Sequence, residues 1–221
     1  MAMTMEEAMR ARHMVRRYTG EPLSEEHVRL LEERIEANNR EHGLGIRLVR
    51  GDAKAVSAVM RLTVAKNVRD YFLMAGADED GLDERLGYAG ADLMLFAQTL
   101  GLNTWWVGGT FNRSDVASRA GADRPAGIVA AGHGATQGKP HKTKEAGQVS
   151  SNEGQAPAWF ERGVEAALLA PTALAKQAFF LRGRGDEVSI ECDNGIFSGA
   201  DTGLVKYHFE LGAGRGSFRW A

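Results

Sequence analysis

A chain of 221 residues, 43% hydrophobic and 25% charged with only 5 prolines, has the composition of an ordinary folded protein; this excludes disordered and fibrous classes and makes a single domain over residues 1–221 the expectation. Lys and Arg number 27 against 29 Asp and Glu, a formal net charge of -2, so there is no cationic surplus to neutralise nucleic-acid phosphates or coat an anionic membrane. The single cysteine, Cys192, can neither close an intrachain disulfide nor build a cysteine-rich zinc site, which fits a reducing, cytoplasmic setting.

Met1 to Arg17 carries Glu6, Glu7 and repeated arginines and lacks the uninterrupted apolar core of a secretory signal, so it is expected to stay on the mature protein. Thr4 followed by Glu7 is a capping-box pair and predicts a helix from Met5 to about His13, with Arg10 and Arg12 in its last turn. After Pro22, Ser24 can cap a second helix with Val28, Leu31 and Ile35 on one face, broken by Asn38 to Gly45. Ile46 and Leu48 begin a strand, Asp52 can cap a helix carrying Val56, Val59, Met60 and Thr63, and Tyr71 to Ala75 reads as another strand.

The strongest periodicity runs from Leu82 to Leu100, where Leu86, Ala89, Leu93, Phe96, Ala97 and Leu100 recur at helical spacing and Gly101 supplies a stop. Leu93 to Asn112 is uncharged and about long enough to cross a bilayer, but Gln98, Thr99, Gly101, Asn103 and Thr104 argue for a buried helix followed by a buried strand, Thr104 to Val107, ending at Gly108 and Gly109. Trp105 and Trp106 alternate there, so one is expected in the core and the other toward a cleft or interface. Ile128 to Ala131 is a further apolar strand, and residues 133–156, basic at Lys139, Lys142 and Lys144, read as a long loop of the functional or mobile kind. Pro157 starts a helix to about Leu169. Strands Ala178 to Leu181 and Val188 to Cys192 precede a helix containing Leu204, Tyr207, His208 and Leu211, whose spacing puts Tyr207 and His208 on or beside a core face.

Several chemistries fail on spacing. Gly134-Ala-Thr-Gln-Gly138-Lys139-Pro140 has three residues between its glycines instead of four and a proline where a phosphate loop needs Ser or Thr. In Gly195-Ile-Phe-Ser198-Gly199 the serine falls one place too late for a nucleophile elbow. The six histidines form no metal-binding pair, and Cys192 lies in an apparent strand, where packing is its ordinary role. What survives is the donor-rich run Arg12-His13-Met14-Val15-Arg16-Arg17-Tyr18, suited to a phosphate or to a solvated turn, and the Gly108-Gly109 pair, suited to close approach of a ligand or to a simple turn.

Arg12-His13-x-x-Arg16-x-Tyr18, followed by Pro22-Leu23-Ser24-Glu25-Glu26, resembles the N-terminal flavin-phosphate motif of the nitroreductase family. Gly87-Tyr88-Ala89-Gly90, leading through Leu95, Ala97 and Leu100-Gly101-Leu102 to Trp106-Val107-Gly108-Gly109, resembles that family's central helix and flavin-side strand. Ala170-Pro171-Thr172-Ala173-x-x-x-Gln177 is similar to its Ala-Pro-Ser-x-x-Asn-x-Gln-Pro segment, and Asp201-Thr-Gly203-Leu-Val-Lys-Tyr-His208-Phe209 to a closing motif of the branch first defined in thermophilic bacteria.

The resemblance implies an α+β, nitroreductase-like fold: a central mixed or antiparallel sheet flanked by helices, in a homodimer with FMN at the subunit interface. It implies that Arg12 and Arg16 hold the FMN phosphate, with Lys142 as a further phosphate contact. His13 and Met14 would run along the ribityl chain or ring edge, Asn67 would bond the ring edge, and the backbone of Val107, Gly108 and Gly109 would approach the ring. Pro171, Thr172 and Ala173 would meet it from the partner subunit. The implied activity takes hydride from NAD(P)H and passes electrons to a nitroaromatic, quinone or similar acceptor, the flavin supplying the chemistry in place of a catalytic triad. Met14 stands where the family has Ser, Ala175 where it has Asn and Ala178 where it has Pro, and these departures motivate the alternative of a degenerate member that binds flavin or another small ligand weakly without redox turnover.

Overall fold

The computed structural model describes residues 3–221. Thr4 and Glu7 close the expected capping box on helix α1 (Met5–Ala11), which ends two residues early because Arg12 turns into extended backbone. Helix α2 (Glu25–His42), capped by Ser24, runs through the expected break: Asn38 stays helical with its amide on Arg34 and Asp92, and the stop is Gly43 in left-handed conformation. After β1 (Arg47–Val49), Asp52 caps nothing; its carboxylate accepts from Tyr71 and pairs with Arg119. The helix there, α3 (Ala58–Thr63), is short and buries none of its residues.

Strand β2 (Asp70–Gly76), helix α4 (Leu82–Thr99) and strand β3 (Asn103–Val107) follow as their periodicities predict. Helix α5 (Arg113–Ala120), capped by Asn112 and absent from the sequence reading, leads into β4 (Arg124–Gly132), longer than its apolar core suggested. These strands form an antiparallel sheet in the order β1-β2-β4-β3.

Within the expected long loop lies a short strand, β5 (Ser150–Asn152). Helix α6 (Ala158–Ala167), strands β6 (Phe179–Arg184) and β7 (Glu187–Cys192), helix α7 (Ser198–Ala213) and a final β8 (Arg219–Trp220) complete the chain. The second sheet is mixed, in the order β5-β6-β7-β8, with β5 parallel to β6, β6 antiparallel to β7 and β7 parallel to β8. The fold is therefore α+β as expected, with its strands divided between two four-stranded sheets instead of one central sheet. Among the described residues no helix is long and apolar enough to cross a membrane.

The halves meet where α4 crosses α7. Leu86, Gly87, Ala89, Gly90, Ala91, Leu93, Met94 and Leu95 are all buried, so α4 presents apolar surface on nearly every side. A β-carbon on Gly87 would run into the Ala200 carbonyl, and one on Gly203 into the Glu84 carbonyl, so the backbones touch where no side chain fits. Beside this crossing the buried Asp92 carboxylate accepts from Arg34 at 2.7 Å, Asn38 at 2.8 Å and Tyr207 at 2.6 Å. Burial pushes its carboxyl up, but the bonds from Arg34 and Tyr207 outweigh that and hold it below the usual carboxylate range.

Gly203→Ala is expected to destabilise the protein by about 3 kcal/mol or to abolish folding, because rigid backbone must move to admit a methyl group. Gly147→Ala, with open space around the new carbon, is expected to cost little. Paired urea denaturation curves check the contrast.

Candidate functional site

Residues 12–18 extend beside the first sheet. Met14 pairs with Thr104 of β3, Val15 N donates to the Thr104 carbonyl at 3.2 Å, and Arg17 pairs with Lys66. This places Met14, Arg16 and Arg17 on a cleft of about 320 Å³ completed by Val64 at the end of α3 and Thr136. The Arg16 guanidinium lies 5.4 Å over the Trp105 ring, and Met14 is 46% exposed. Trp105 is the core member of the tryptophan pair, while Trp106 is half-buried against Gly90.

Arg12 does not line that cleft: it is buried, and among the described residues its guanidinium makes no ion pair and no hydrogen bond. Burial pushes its pKa down to about 10. A cation in such a place is a standing cost unless an anion joins it. His208 of α7 faces the same region: its Nδ1 donates to the Leu204 carbonyl at 2.8 Å, its Nε2 is buried without a partner, and burial together with the charges of Arg12 and His141 pushes it down to about 3. Tyr207 and His208 both occupy core positions, as their spacing predicted.

The basic loop after β4 is a strap fastened at both ends. At its start Thr19 N donates to the His133 carbonyl and Ala135 N to the Arg17 carbonyl, and Asn103 binds Gly134 N and Gln137. Gly138 lies so close to His13 and the Met14 carbonyl that an added carbon would sit 2.8 Å from each. At its far end His141 Nε2 donates to the Leu168 carbonyl, and Lys144 donates to Gln177 through both its backbone N and its Nζ. Gln177, which is buried, also donates to the Leu168 carbonyl at 2.7 Å, and its backbone N bonds the Thr172 hydroxyl at 3.0 Å. The strap thereby ties the Pro171, Thr172 and Ala173 turn to the segment carrying Arg12, His13 and Met14.

The remaining candidates are more scattered. Val107 is buried at the end of β3, and the Gly108 and Gly109 that follow lie under Phe197, whose ring an added carbon would meet at 3.0 and 3.3 Å. Nothing in the sequence pattern marked Phe197, which precedes α7 in an unpatterned turn. Asn67 has left-handed backbone, φ 54°, and its amide is engaged on the Tyr18 carbonyl. Lys142 is exposed on the strap. Leu174, Ala175 and Gln177 all have positive φ, so Ala175 occupies a conformation in which Asn is favoured over Ala.

The sequence pattern of the family described as "Putative TM nitroreductase" matches residues 4–213. The fold is similar to that of a "putative nitroreductase" from Thermotoga maritima, with a TM-score of 0.68 and 18% identity over 96% of this chain and 84% of that one. A "putative nitroreductase" from Desulfovibrio desulfuricans, crystallised with FMN, aligns with a TM-score of 0.53 and 20% identity over 69% of this chain and 96% of that one. Another in complex with FMN, from Exiguobacterium sibiricum, gives 0.51 and 15% over 66% and 95%. At such identities the likeness to these structures is one of fold. No curated protein matches.

Because the folded His208 keeps its low pKa while the unfolded chain titrates near 6.5, the unfolded state alone binds that proton as pH falls from 6.5 toward 3. Stability contributed by the neutral ring is therefore lost over this window, at up to about 1.4 kcal/mol per pH unit. His208→Leu is expected to flatten the acid limb of stability against pH, measured as the difference between variant and wild-type denaturation midpoints from pH 4 to 7; parallel limbs would show that the ring does not titrate this way.

Proposed function

Since the chain belongs to the TM nitroreductase family, we propose that it is an FMN-dependent oxidoreductase that takes hydride from NAD(P)H and reduces a nitroaromatic, quinone or similar acceptor. The observation that carries the reading is the buried Arg12, whose guanidinium makes no ion pair or hydrogen bond among the described residues and which lies a few positions before the Arg16 and Arg17 that line the cationic cleft. A phosphate supplies the missing charge, and Arg16 and Lys142 add exposed cations around it. The donor set thus suits an anionic, phosphate-bearing ligand.

In this assignment Arg12, Arg16 and Lys142 hold the phosphate, and His13 and Met14 line the chain between phosphate and ring. Val107, Gly108 and Gly109 offer backbone to the ring edge, with Asn67 beside Tyr18 as a further polar contact. Pro171, Thr172 and Ala173 would meet the ring of the flavin held by the other subunit of the dimer. When bound, FMN supplies the hydride and electron chemistry; the residues bind it, orient it and exclude water from one side. The Trp105 ring under Arg16 restrains that guanidinium, and the strap holds the 171–173 turn in place. The homodimer expected for this class is part of the proposal, as is a cytoplasmic setting, and the domain is taken as one unit over residues 1–221.

The degenerate alternative rests on the Met14, Ala175 and Ala178 departures, the first two of which remove a hydroxyl and an amide from the family's pattern. Ala175→Asn separates the readings: it suits the positive φ and restores the amide, so it is expected to tighten FMN about tenfold, one to two hydrogen bonds' worth. An unchanged affinity would argue against this placement of the segment.

Arg12→Met is expected to have two opposed effects. Removing a buried charge without a partner should stabilise the ligand-free protein by about 1 to 2 kcal/mol. Removing a charged phosphate contact should weaken FMN by about 10- to 100-fold. Thermal denaturation without ligand and flavin fluorescence titration measure the pair. A variant destabilised without ligand and unchanged toward FMN would overturn the role given to Arg12, and a wild-type protein that neither retains nor acquires a flavin absorbance spectrum would overturn the function.

A further inference from the structure

The turn at residues 171–173 is held in an uncommon way. Over residues 174–177 three non-glycine residues have left-handed backbone: Leu174 at φ 54°, Ala175 at φ 52° and Gln177 at φ 47°. Such a run persists only where neighbours over-determine it. One restraint is local, the Gln177 N to Thr172 hydroxyl bond, and a second is the strap on the Gln177 side chain. The third crosses from another element: the Ala173 backbone N–H donates to both carboxylate oxygens of Asp201, at 2.9 and 3.1 Å. Asp201 lies in the first turn of α7, which the glycine contact with α4 locks in place, so the carboxylate is a fixed post for a strained segment.

The surroundings of Asp201 offer no compensating charge. From β7 and its exit come the Cys192 thiol and Asp193; from α4 come Asp83, beneath Gly199, and Glu84. Lys206 on α7 is engaged to Glu84 at 2.6 Å, and Lys176 at the end of the turn is exposed. Among the described residues Asp201 makes no ion pair. We propose that Asp201 is a positioning residue: its ionised carboxylate clamps Ala173 and with it the 171–173 turn, which the flavin reading puts against the ligand, and protonation weakens the clamp. The identity of the ligand rests on the flavin reading; the clamp itself does not.

The sign follows from the charge state. Burial, only partly offset by the Ala173 bond and reinforced by Asp193, pushes Asp201 up to about 6. The two-oxygen, charge-assisted clamp is thus present above that pH and weakened to a neutral carbonyl acceptor below it, although the folded protein itself gains stability as Asp201 takes up its proton.

The test uses the full-length wild type and Asp201→Asn. In the first measurement the amide resonance of Ala173 is followed by NMR from pH 4.5 to 8 without ligand. It is expected to titrate with an inflection near pH 6 in the wild type and to lose that inflection in the variant; a flat wild-type resonance would overturn the clamp with no variant needed. In the second, FMN and riboflavin are titrated at the two ends of this range, riboflavin because it lacks the phosphate, which titrates itself at about pH 6. The wild type is expected to bind riboflavin about tenfold more weakly at pH 5 than at pH 7.5, and the variant to bind at the weaker level at both. Riboflavin affinity that is independent of pH in the wild type, or unchanged by the substitution, would overturn the positioning role. Failure of both flavins to bind at any pH would sink the flavin reading, leaving the Ala173 titration to decide the clamp.

Discussion

The crossing of α4 over α7 is the constraint on which the rest of the molecule depends. Where Gly87 meets the Ala200 carbonyl and Gly203 meets the Glu84 carbonyl, two backbones lie against each other with no side chain between them. Close approach of this kind multiplies dispersion contacts along the helices and leaves little freedom in their relative angle. It also joins the halves of the chain, since α4 belongs to the first sheet's connectivity and α7 to the second's. Everything α7 carries is therefore placed by α4: Phe197 over Gly108 and Gly109 before its first turn, Asp201 on Ala173, Tyr207 on Asp92, and His208 in the region of Arg12.

Buried charge is handled in two opposite ways on either side of that crossing. Asp92 is satisfied by three donors from two helices and stays ionised at an ordinary pH, the behaviour of a group that serves structure. Arg12 is buried and Asp201 half-buried, neither with an ion-pair partner among the described residues, and each is pushed toward its neutral form. Burying an unpaired charge costs stability, so groups of this kind mark places where something other than folding is served. Arg12 calls for an anion, and Asp201 fixes backbone at Ala173 that local propensity would not hold.

The strap and the turn it holds extend this pattern to the backbone. Left-handed residues other than glycine store strain, and three fall within four positions at 174–177. The buried amide of Gln177 counters that strain by bonding Leu168, Thr143 and Lys144 at once. A polar side chain with its donors and acceptor all engaged contributes rigidity as well as hydrogen bonds. The basic loop after β4 is thus a fastened connection between the segment at residues 13–17 and the turn at residues 171–177.

How much of this was legible beforehand divides by range. The capping box at Thr4, the buried helix from Leu82, the strand ending at Gly108 and the core placement of His208 were readable, because each is expressed in residues a few positions apart. The order of motifs was enough to point to the family, since residue types at short spacings carry it. Asn38 reads as a breaker and Asp52 as a cap by local preference, yet both side chains bond residues far along the chain, Asp92 in one case and Tyr71 with Arg119 in the other. Short α5 and two-residue β8 carry too little periodicity to be seen, and β8 exists only because β7 is beside it. The division into two sheets, Phe197 over the glycine pair, the absence of any partner for Arg12 and the clamp of Asp201 on Ala173 were decided by tertiary structure alone. Local spacing records which face a residue turns toward the interior; only the packed chain records what waits there to meet it.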